Sequence, residues 1–447
     1  MELFRPIFVP DEFKEAVSGT AWLRAMLEAE GALAVAQARA GLIPQEAAKT
    51  IVSCCEVDRF DPVETGRRGR AKGNPVPPLV RALTEAVSEV SEDAARHVHK
   101  GATSQDIMDT AAMLVSRRAL ALILTEVDAI SAACARLADT HRDTLMPGRT
   151  LLQQALPTTF GLKATGWLVS MLEATDKLRD VRASGLAVQL GGAAGTLASL
   201  GQAGTRVLGE FSRELDLAEP TVPWHTDRSR IAEIGGALSL VAGVLGKISQ
   251  DVILMAQTEV GEVAEPAGEG RGGSSTLPHK RNPILSVTAA ASARRVFDLS
   301  HTLQAALPQE HERAIGAWHS EWEALSDALA LTGGAATAVR EVTQGLEIYP
   351  EKMRKNLEAT GGLLLAENVT TIVAEHLGRL KAHDLVTAAS HRALEGGKPL
   401  REELLSRLGG VLSEEEIDAA LDPAGYLGSA NKFVDRALKL YRERETG

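Results

Sequence analysis

The sequence predicts an all-α protein built around a central bundle of about five long helices. Two periodic stripes and one absence carry that expectation. Leu238, Val241, Leu245, Ile248, Val252 and Met255 recur at alternating steps of three and four, the spacing of one apolar face on a helix packed lengthwise against others. Leu120, Ile123, Val127, Ile130, Cys134 and Leu137 repeat the pattern. Convincing runs of alternating apolar and polar residues, the mark of half-buried strands, are absent. A helix of roughly 30 residues would reach about 45 Å at 1.5 Å per residue.

Taken in order, residues 1–102 form a smaller N-terminal helical domain, with one apolar helix (Trp22, Met26, Leu33) and a Pro/Gly turn, GNPVPP. Residues 103–350 hold the bundle. Besides the two stripes, helical runs follow Leu156-Pro157 (Phe160, Trp167, Met171, Leu178), follow Pro283, and extend from Glu310 to Leu346. Residues 351–447 form a small C-terminal domain of short helices broken by EGGKP and DPAG. Several long helices carry apolar residues beyond one stripe, so burial against neighbouring subunits is expected as well as burial within the chain.

Composition excludes several function classes. A chain of 447 residues has the volume for two or three domains and a large core. Its three cysteines are an odd number, the adjacent Cys54-Cys55 pair has poor geometry for a mutual bridge, and none falls in a metal-ligand spacing, which suits a reducing cytosol. The N-terminus, MELFRPIFVPDEF, carries acids where a signal peptide carries bases, so a cytoplasmic location is expected. The most apolar stretch, Ala237 to Ala256, is interrupted by Lys247 and Asp251 and reads as a buried helix with no role for a membrane. A net charge of -11 argues against nucleic acid as a partner, and the one basic run, GRRGRAK at 66–72, has no interleaved aromatics and reads as a solvated loop.

The chemistry must then sit where helices are interrupted. In HVHKGATSQDIMDTA, 97–111, Thr103 and Asp106 have the spacing of a capping box with Ser104 beside them. Thr103 either caps the helix or, with Ser104 and the free amides of the terminus, binds a carboxylate or phosphate. In PGRTLLQQALPTT, 147–159, Arg149, Thr150 and Gln153 form a fork of donors ahead of a helix that Pro157 would start; a surface turn is the alternative. QLGGAAGTLASLGQAG, 189–204, lacks a following GK[ST] and a preceding strand, so tight turns or close backbone approach explain its glycines better than nucleotide binding. The densest donor set is GEGRGGSSTLPHKRNP, 268–283, where glycines free the backbone, Ser274 and Ser275 bring hydroxyls, and Lys280, Arg281 and Asn282 can hold an anion before Pro283 starts the next helix.

GSSTLPHKRNP resembles the signature of the fumarase/aspartase superfamily, GSSxMPxKxNP, with Leu277 in place of the usual Met, and GATSQD and GRTLLQ resemble its other two active-site segments in the correct order. The resemblance implies an all-α, three-domain fumarase/aspartase-like subunit whose central helices form a twenty-helix core in a homotetramer, with active sites shared between subunits. It also implies proton chemistry alpha to a carboxylate through an aci-carboxylate carbanion, with Ser274 as carbon acid/base and Lys280 and Asn282 stabilising the anion. A serine is a poor base unless neighbouring donors lower its pKa. Thr103, Ser104, Arg149, Thr150, Gln153, Lys280 and Asn282 are implied around the substrate carboxylates, Ser275 adds its hydroxyl to the substrate-binding set, and His99, just before the helix terminus, is either a further ligand or proton donor or a structural residue. His311, Arg313 and His319 lie in another family-like segment, PQEHERAIGAWHSEWEAL at 308–325.

Fumarase and adenylosuccinate lyase carry a histidine in the second segment and a glutamate four residues after the signature's last proline; here those positions are Leu151 and Val287. The paired loss resembles the superfamily's bacterial carboxymuconate-cyclising branch, as do VPWHTDRSR at 222–230 and QLGGAAGTLASLG at 189–201. Members of that branch close 3-carboxy-cis,cis-muconate to 4-carboxymuconolactone. Their nucleophile is a carboxylate of the substrate, already ionised at neutral pH, so only the carbon proton needs a catalyst. A small tricarboxylate substrate, no organic cofactor and no metal are thus implied. The alternatives are an adenylosuccinate lyase-like elimination releasing fumarate and a non-enzymatic structural protein on the same scaffold.

Overall fold

The apolar stripes become long helices where periodicity places them. The computed structural model describes residues 3–268, 277 and 280–446. Helix α1 spans Gly19–Arg39, its first turn capped by Ser18, whose hydroxyl accepts the Ala21 amide. Helix α2, Ser104–Thr140, has 37 residues, about 55 Å at 1.5 Å each. Strands β1, Leu145–Thr150, and β2, Gln153–Thr159, pair antiparallel and lead into α3, Phe160–Asp180. Helix α4, Ser229–Met255, is followed by β3, Val263–Ala264, then α5, Ile284–Ala305, α6, Ala317–Gly345, and β4, Glu347–Ile348, which pairs with β3. Shorter helices follow: α7, Ala366–Leu377; α8, Arg379–Gly396; α9, Leu400–Leu408; and α10, Glu414–Ala420.

Three expectations need correction. The second segment is a β-hairpin and not a surface turn ahead of a proline-started helix. Its strands have six and seven residues, contain Pro147 and Pro157 directly opposite each other, and break register at Gly148, so they show no apolar alternation to read. The helix starts at Phe160 because Thr159, not Pro157, caps it, its hydroxyl accepting the Leu162 amide. Helix α6 begins at Ala317, not Glu310, since His311 and Gly316 both hold positive φ, 45° and 142°, which a helix cannot contain.

The chain divides into two units. The first comprises Met1–Asp128, Glu173–Gly246 and Thr288–Ala338. There α4 and α5 run antiparallel at close range, with Gly235 against Leu303, Gly243 against Phe297 and Gly246 against Ala293. Residues 105–116 of α2 are all buried, so this end of the helix is enclosed on every side within the unit itself. Leu238, Val241 and Leu245 of the α4 stripe are fully buried.

The second unit comprises Ala129–Leu172, Lys247–Val287 and Val339–Gly447. Asp251, one of the two charges that interrupt the apolar stretch, accepts the Trp167 indole N–H at 2.8 Å and pairs with Lys247. Near the C-terminus Val369, Val373, Ala382, Val386, Leu400, Leu404 and Ile417 make a small core of their own. Gly161 opens α3 where its Cα lies against the backbone of α2; a Cβ there would sit 2.5 Å from the Arg142 Cα and 2.7 Å from the Ala138 carbonyl. Because backbone cannot swing aside, Gly161→Ala should destabilise the protein by about 1–3 kcal/mol, read as a lowered urea midpoint.

The three cysteines are free, and burial pushes the Cys55 and Cys134 thiols up to about 12, which removes them as nucleophiles. The basic run is not a loop throughout: residues 66–69 end a helix, Pro62–Gly69, on whose surface Arg67 and Arg68 both fold back onto Glu64.

Candidate active site

In the first unit the candidates gather at the N-terminus of α2, whose leading amides have no partners within the helix. The capping box runs in one direction only: Asp106 accepts the Thr103 amide at 2.9 Å, while the hydroxyls of Thr103 and Ser104 make no hydrogen bond among the described residues. Both residues are half-buried. Those hydroxyls and the helix terminus are therefore available to an anion.

Asp106 does more than cap. Its buried carboxylate also accepts the amides of Gly191 and Gly192 at 2.9 and 3.0 Å, and lies 2.6 Å from Nε2 of the buried His225. The glycine-rich segment thus docks on the first turn of α2. Gly192 has φ of 69°, and a Cβ on Gly191 would lie 2.7 Å from the His225 ring and 2.8 Å from Pro223. This is the close backbone approach expected of those glycines. Gly191→Ala should displace His225 from Asp106, costing about 1–3 kcal/mol and weakening anion binding at the helix terminus. Denaturation together with the KM of the variant checks both.

One turn further in, Arg228 is 1% exposed. It bonds Asp109 through both terminal nitrogens, at 2.8 and 2.9 Å, and Glu321 through Nε and a terminal nitrogen, at 3.0 and 2.7 Å. Trp318 donates to Asp109 at 2.9 Å, and the guanidinium lies 4.9 Å from the Trp224 ring centre. Burial lifts Glu321 above the usual carboxylate range against the pull of Arg228. Arg313 spends its donors on the carbonyls of Gly192 and Ala193 and on Gln105, tying the 308–325 segment to the same turn. His319 meets Trp318 edge-on and Trp322 at a tilt, and His311 is exposed; neither joins the Asp106 cluster. His99, at φ of 55°, bonds Glu30 of α1 through Nδ1 at 2.6 Å. Lys100 donates to the Leu42 carbonyl.

In the second unit the hairpin carries Arg149, Thr150 and Gln153. Arg149 makes a bidentate pair with the buried Glu262, at 2.9 and 2.6 Å, and Asn356 donates to the same carboxylate at 2.8 Å. A substrate carboxylate would have to share that guanidinium. Thr150 and Gln153 pair across the turn and are exposed. The two residues between them, Leu151 and Leu152, hold φ of 50° and 64° and are 96% and 74% exposed. This geometry ordinarily selects Asn-Gly, so two leucines in it store strain.

Ser274 and Ser275 lie outside the described residues. The end of the signature segment is well tied: Arg281 forks onto Glu347 at 2.9 and 2.6 Å and reaches the Glu265 carbonyl at 2.7 Å. The Glu265 carboxylate accepts the Leu285 and Ser286 amides, capping α5. Arg281 and the Tyr349 hydroxyl draw Glu347 down to about 2. Lys280 is exposed beside this clamp and Asn282 is half-buried.

Reading the sequence alone misses Glu30, Asp109, His225, Arg228, Glu262, Glu265 and Glu321, all far in sequence from the partners they meet. The signal that could have flagged them is the presence of charged residues inside segments otherwise apolar enough to be buried, as with Asp109 in α2.

The family model described as Lyase matches residues 10–298, and that described as Adenylosuccinate lyase C-terminus matches 362–437. The chain is 44% identical to the 3-carboxy-cis,cis-muconate cycloisomerase of Pseudomonas aeruginosa over 439 residues, covering 98% of this chain and 96% of that protein. It is 45% identical to the nitrosuccinate lyase of Streptomyces davaonensis over 446 residues, covering 98% and 94%. It superposes on the crystal structure of the 3-carboxy-cis,cis-muconate lactonizing enzyme from Pseudomonas putida with a TM-score of 0.94, at 40% identity and 99% coverage of both chains. With its all-α architecture, the match of both family models and full-length relatives at this identity, the chain belongs to the lyase family of the fumarase/aspartase superfamily.

Proposed function

We propose that the protein is an intramolecular lyase that closes 3-carboxy-cis,cis-muconate to 4-carboxymuconolactone. The relatives of that activity match the whole chain at 40–44% identity. The observation that carries the reading is the apolar pair Leu151 and Val287, both exposed where a His-Glu relay would stand. An internal carboxylate needs no base to become a nucleophile. It adds to the conjugated alkene, the electron pair moves onto the carbon alpha to a carboxylate, and Ser274 delivers the proton there. Thr103, Ser104 and the α2 terminus in the first unit, and Arg149, Lys280 and Asn282 in the second, each supply donors suited to a carboxylate, and holding the substrate in a near-attack shape would supply much of the rate.

Elimination of nitrite from nitrosuccinate is a second reading, favoured by the 45% identical lyase. Nitrite is a weakly basic leaving group that departs without a proton, so the same apolar pair suits it. An adenylosuccinate-type elimination, whose amine leaving group needs an acid, is disfavoured on the same ground. Purified protein mixed with 3-carboxy-cis,cis-muconate should remove the diene absorbance. No loss of absorbance, together with nitrite release from nitrosuccinate, would overturn the cyclisation in favour of the elimination.

We further propose a cytoplasmic homotetramer. Leu240, Ile284, Val287 and Phe297 on α4 and α5 are each close to half exposed, a density of apolar surface that suits burial by further copies. Light scattering after gel filtration should give four times the 47.4 kDa chain mass; a monomer would contradict this.

A further inference from the structure

The 97–101 turn ahead of α2 is held by α1 and the residues just after it. Gln37 donates to the Lys100 carbonyl at 2.5 Å, and Lys100 donates to the Leu42 carbonyl at 3.1 Å. Between them His99 keeps a left-handed backbone, a conformation that persists only when its surroundings over-determine it. Its partner Glu30 is 1% exposed, and the second carboxylate oxygen has no hydrogen-bond partner among the described residues. A buried carboxylate so poorly solvated is costly unless a cation faces it. His99 is the charged group it bonds.

We propose that Glu30 is a positioning residue that fixes the tautomer and charge of His99, so that the imidazolium Nε2–H serves as a donor to a substrate carboxylate beside the α2 terminus. This rests on the tricarboxylate reading above. The short bond to Glu30 keeps the proton on Nδ1. A neutral His99 then presents a bare Nε2, an acceptor that repels a carboxylate; only the protonated ring donates from that side.

The groups facing the pair agree with this. Burial pulls the imidazole down, but Glu30 and, farther off, Asp106 outweigh it and raise His99 above the ordinary histidine range. Cys55, the thiol facing Glu30, is pushed up to about 12 and stays neutral. The Lys100 ammonium is engaged with Leu42. Because the folded pKa is raised, the pair's contribution to stability is fully present below the unfolded value of about 6.5 and is lost as pH rises through the folded value.

The test uses the native protein with Glu30→Gln, His99→Gln and the double variant. Deuterium exchange at the imidazole C2, read by mass spectrometry across pH, gives the His99 midpoint without turnover. The wild-type midpoint should lie above 6.5, the free value, and fall by about 1 or more in Glu30→Gln. Near pH 7.5 the KM for 3-carboxy-cis,cis-muconate should rise about tenfold in each single variant, with little further rise in the double variant, and kcat should change little. Should Glu30→Gln fold poorly, Glu30→Asp, which keeps the charge at shorter reach, should give an intermediate midpoint. An unmoved midpoint overturns the role of Glu30 even in an active enzyme, as does a fall in kcat at constant KM. A protein that titrates as expected but leaves carboxymuconate untouched instead contradicts the substrate reading.

Discussion

Ser274→Ala should lower kcat/KM for cyclisation by about 10²–10⁴, the usual worth of a positioned proton donor or base. The loss should fall on kcat, because the carboxylate donors at Thr103, Ser104, Arg149, Lys280 and Asn282 are untouched. Stopped-flow loss of diene absorbance at saturating substrate measures it. A variant within about threefold of wild type, well below the 10²-fold floor for such a group, would mean that another residue moves the carbon proton, while leaving the reaction itself intact.

Arg228→Ala should be the most damaging substitution outside the signature segment. It leaves Asp109 and Glu321 buried, close together and without their cation, and removal of one partner from such a pair costs about 3–5 kcal/mol. Two carboxylates lose their partner here, so the upper end is expected. Because the same network holds the first turns of α2 through Asp109 and Gln105, the surviving folded fraction should also bind substrate more weakly. Urea denaturation followed by circular dichroism gives the first effect and KM the second. A change below about 1 kcal/mol, the worth of an exposed pair, would show that water reaches both carboxylates.

Much of this fold was legible because helical burial is periodic: the stripes on α2 and α4 could be counted directly, and Leu120, Ile123, Val127, Ile130 and Cys134 on the first and Leu238, Val241, Leu245, Ile248 and Val252 on the second are all fully buried. The hairpin was not legible, since prolines opposite each other and a seven-residue strand leave no alternation to detect. The site followed the same division. Residues that project from an interruption, such as Thr103, Ser104 and Arg149, announce themselves by composition. Residues that meet only through tertiary packing do not: Asp106 reads as a cap, and nothing local says that it also gathers Gly191, Gly192 and His225. Likewise Arg149 reads as a free donor, and only the fold brings Glu262 to it from more than a hundred residues away.

The Leu151-Leu152 turn joins strain to function. A two-residue turn with positive φ at both positions costs leucine roughly 1–2 kcal/mol per residue, and a sequence selected for stability alone would place Asn-Gly there. An apolar tip is what a site without a leaving-group relay can carry, and it separates this chain from lyases that must protonate a departing amine.

The most direct measurement is a comparison of kcat/KM for 3-carboxy-cis,cis-muconate and nitrosuccinate with one preparation of the purified protein, the first followed by diene absorbance with the lactone identified by NMR, the second by nitrite release. Cyclisation should exceed elimination by at least about 10³, the discrimination expected of a site whose donors match three carboxylates and not two. Equal efficiencies, or nitrite release without lactone, would contradict assignment as a cycloisomerase.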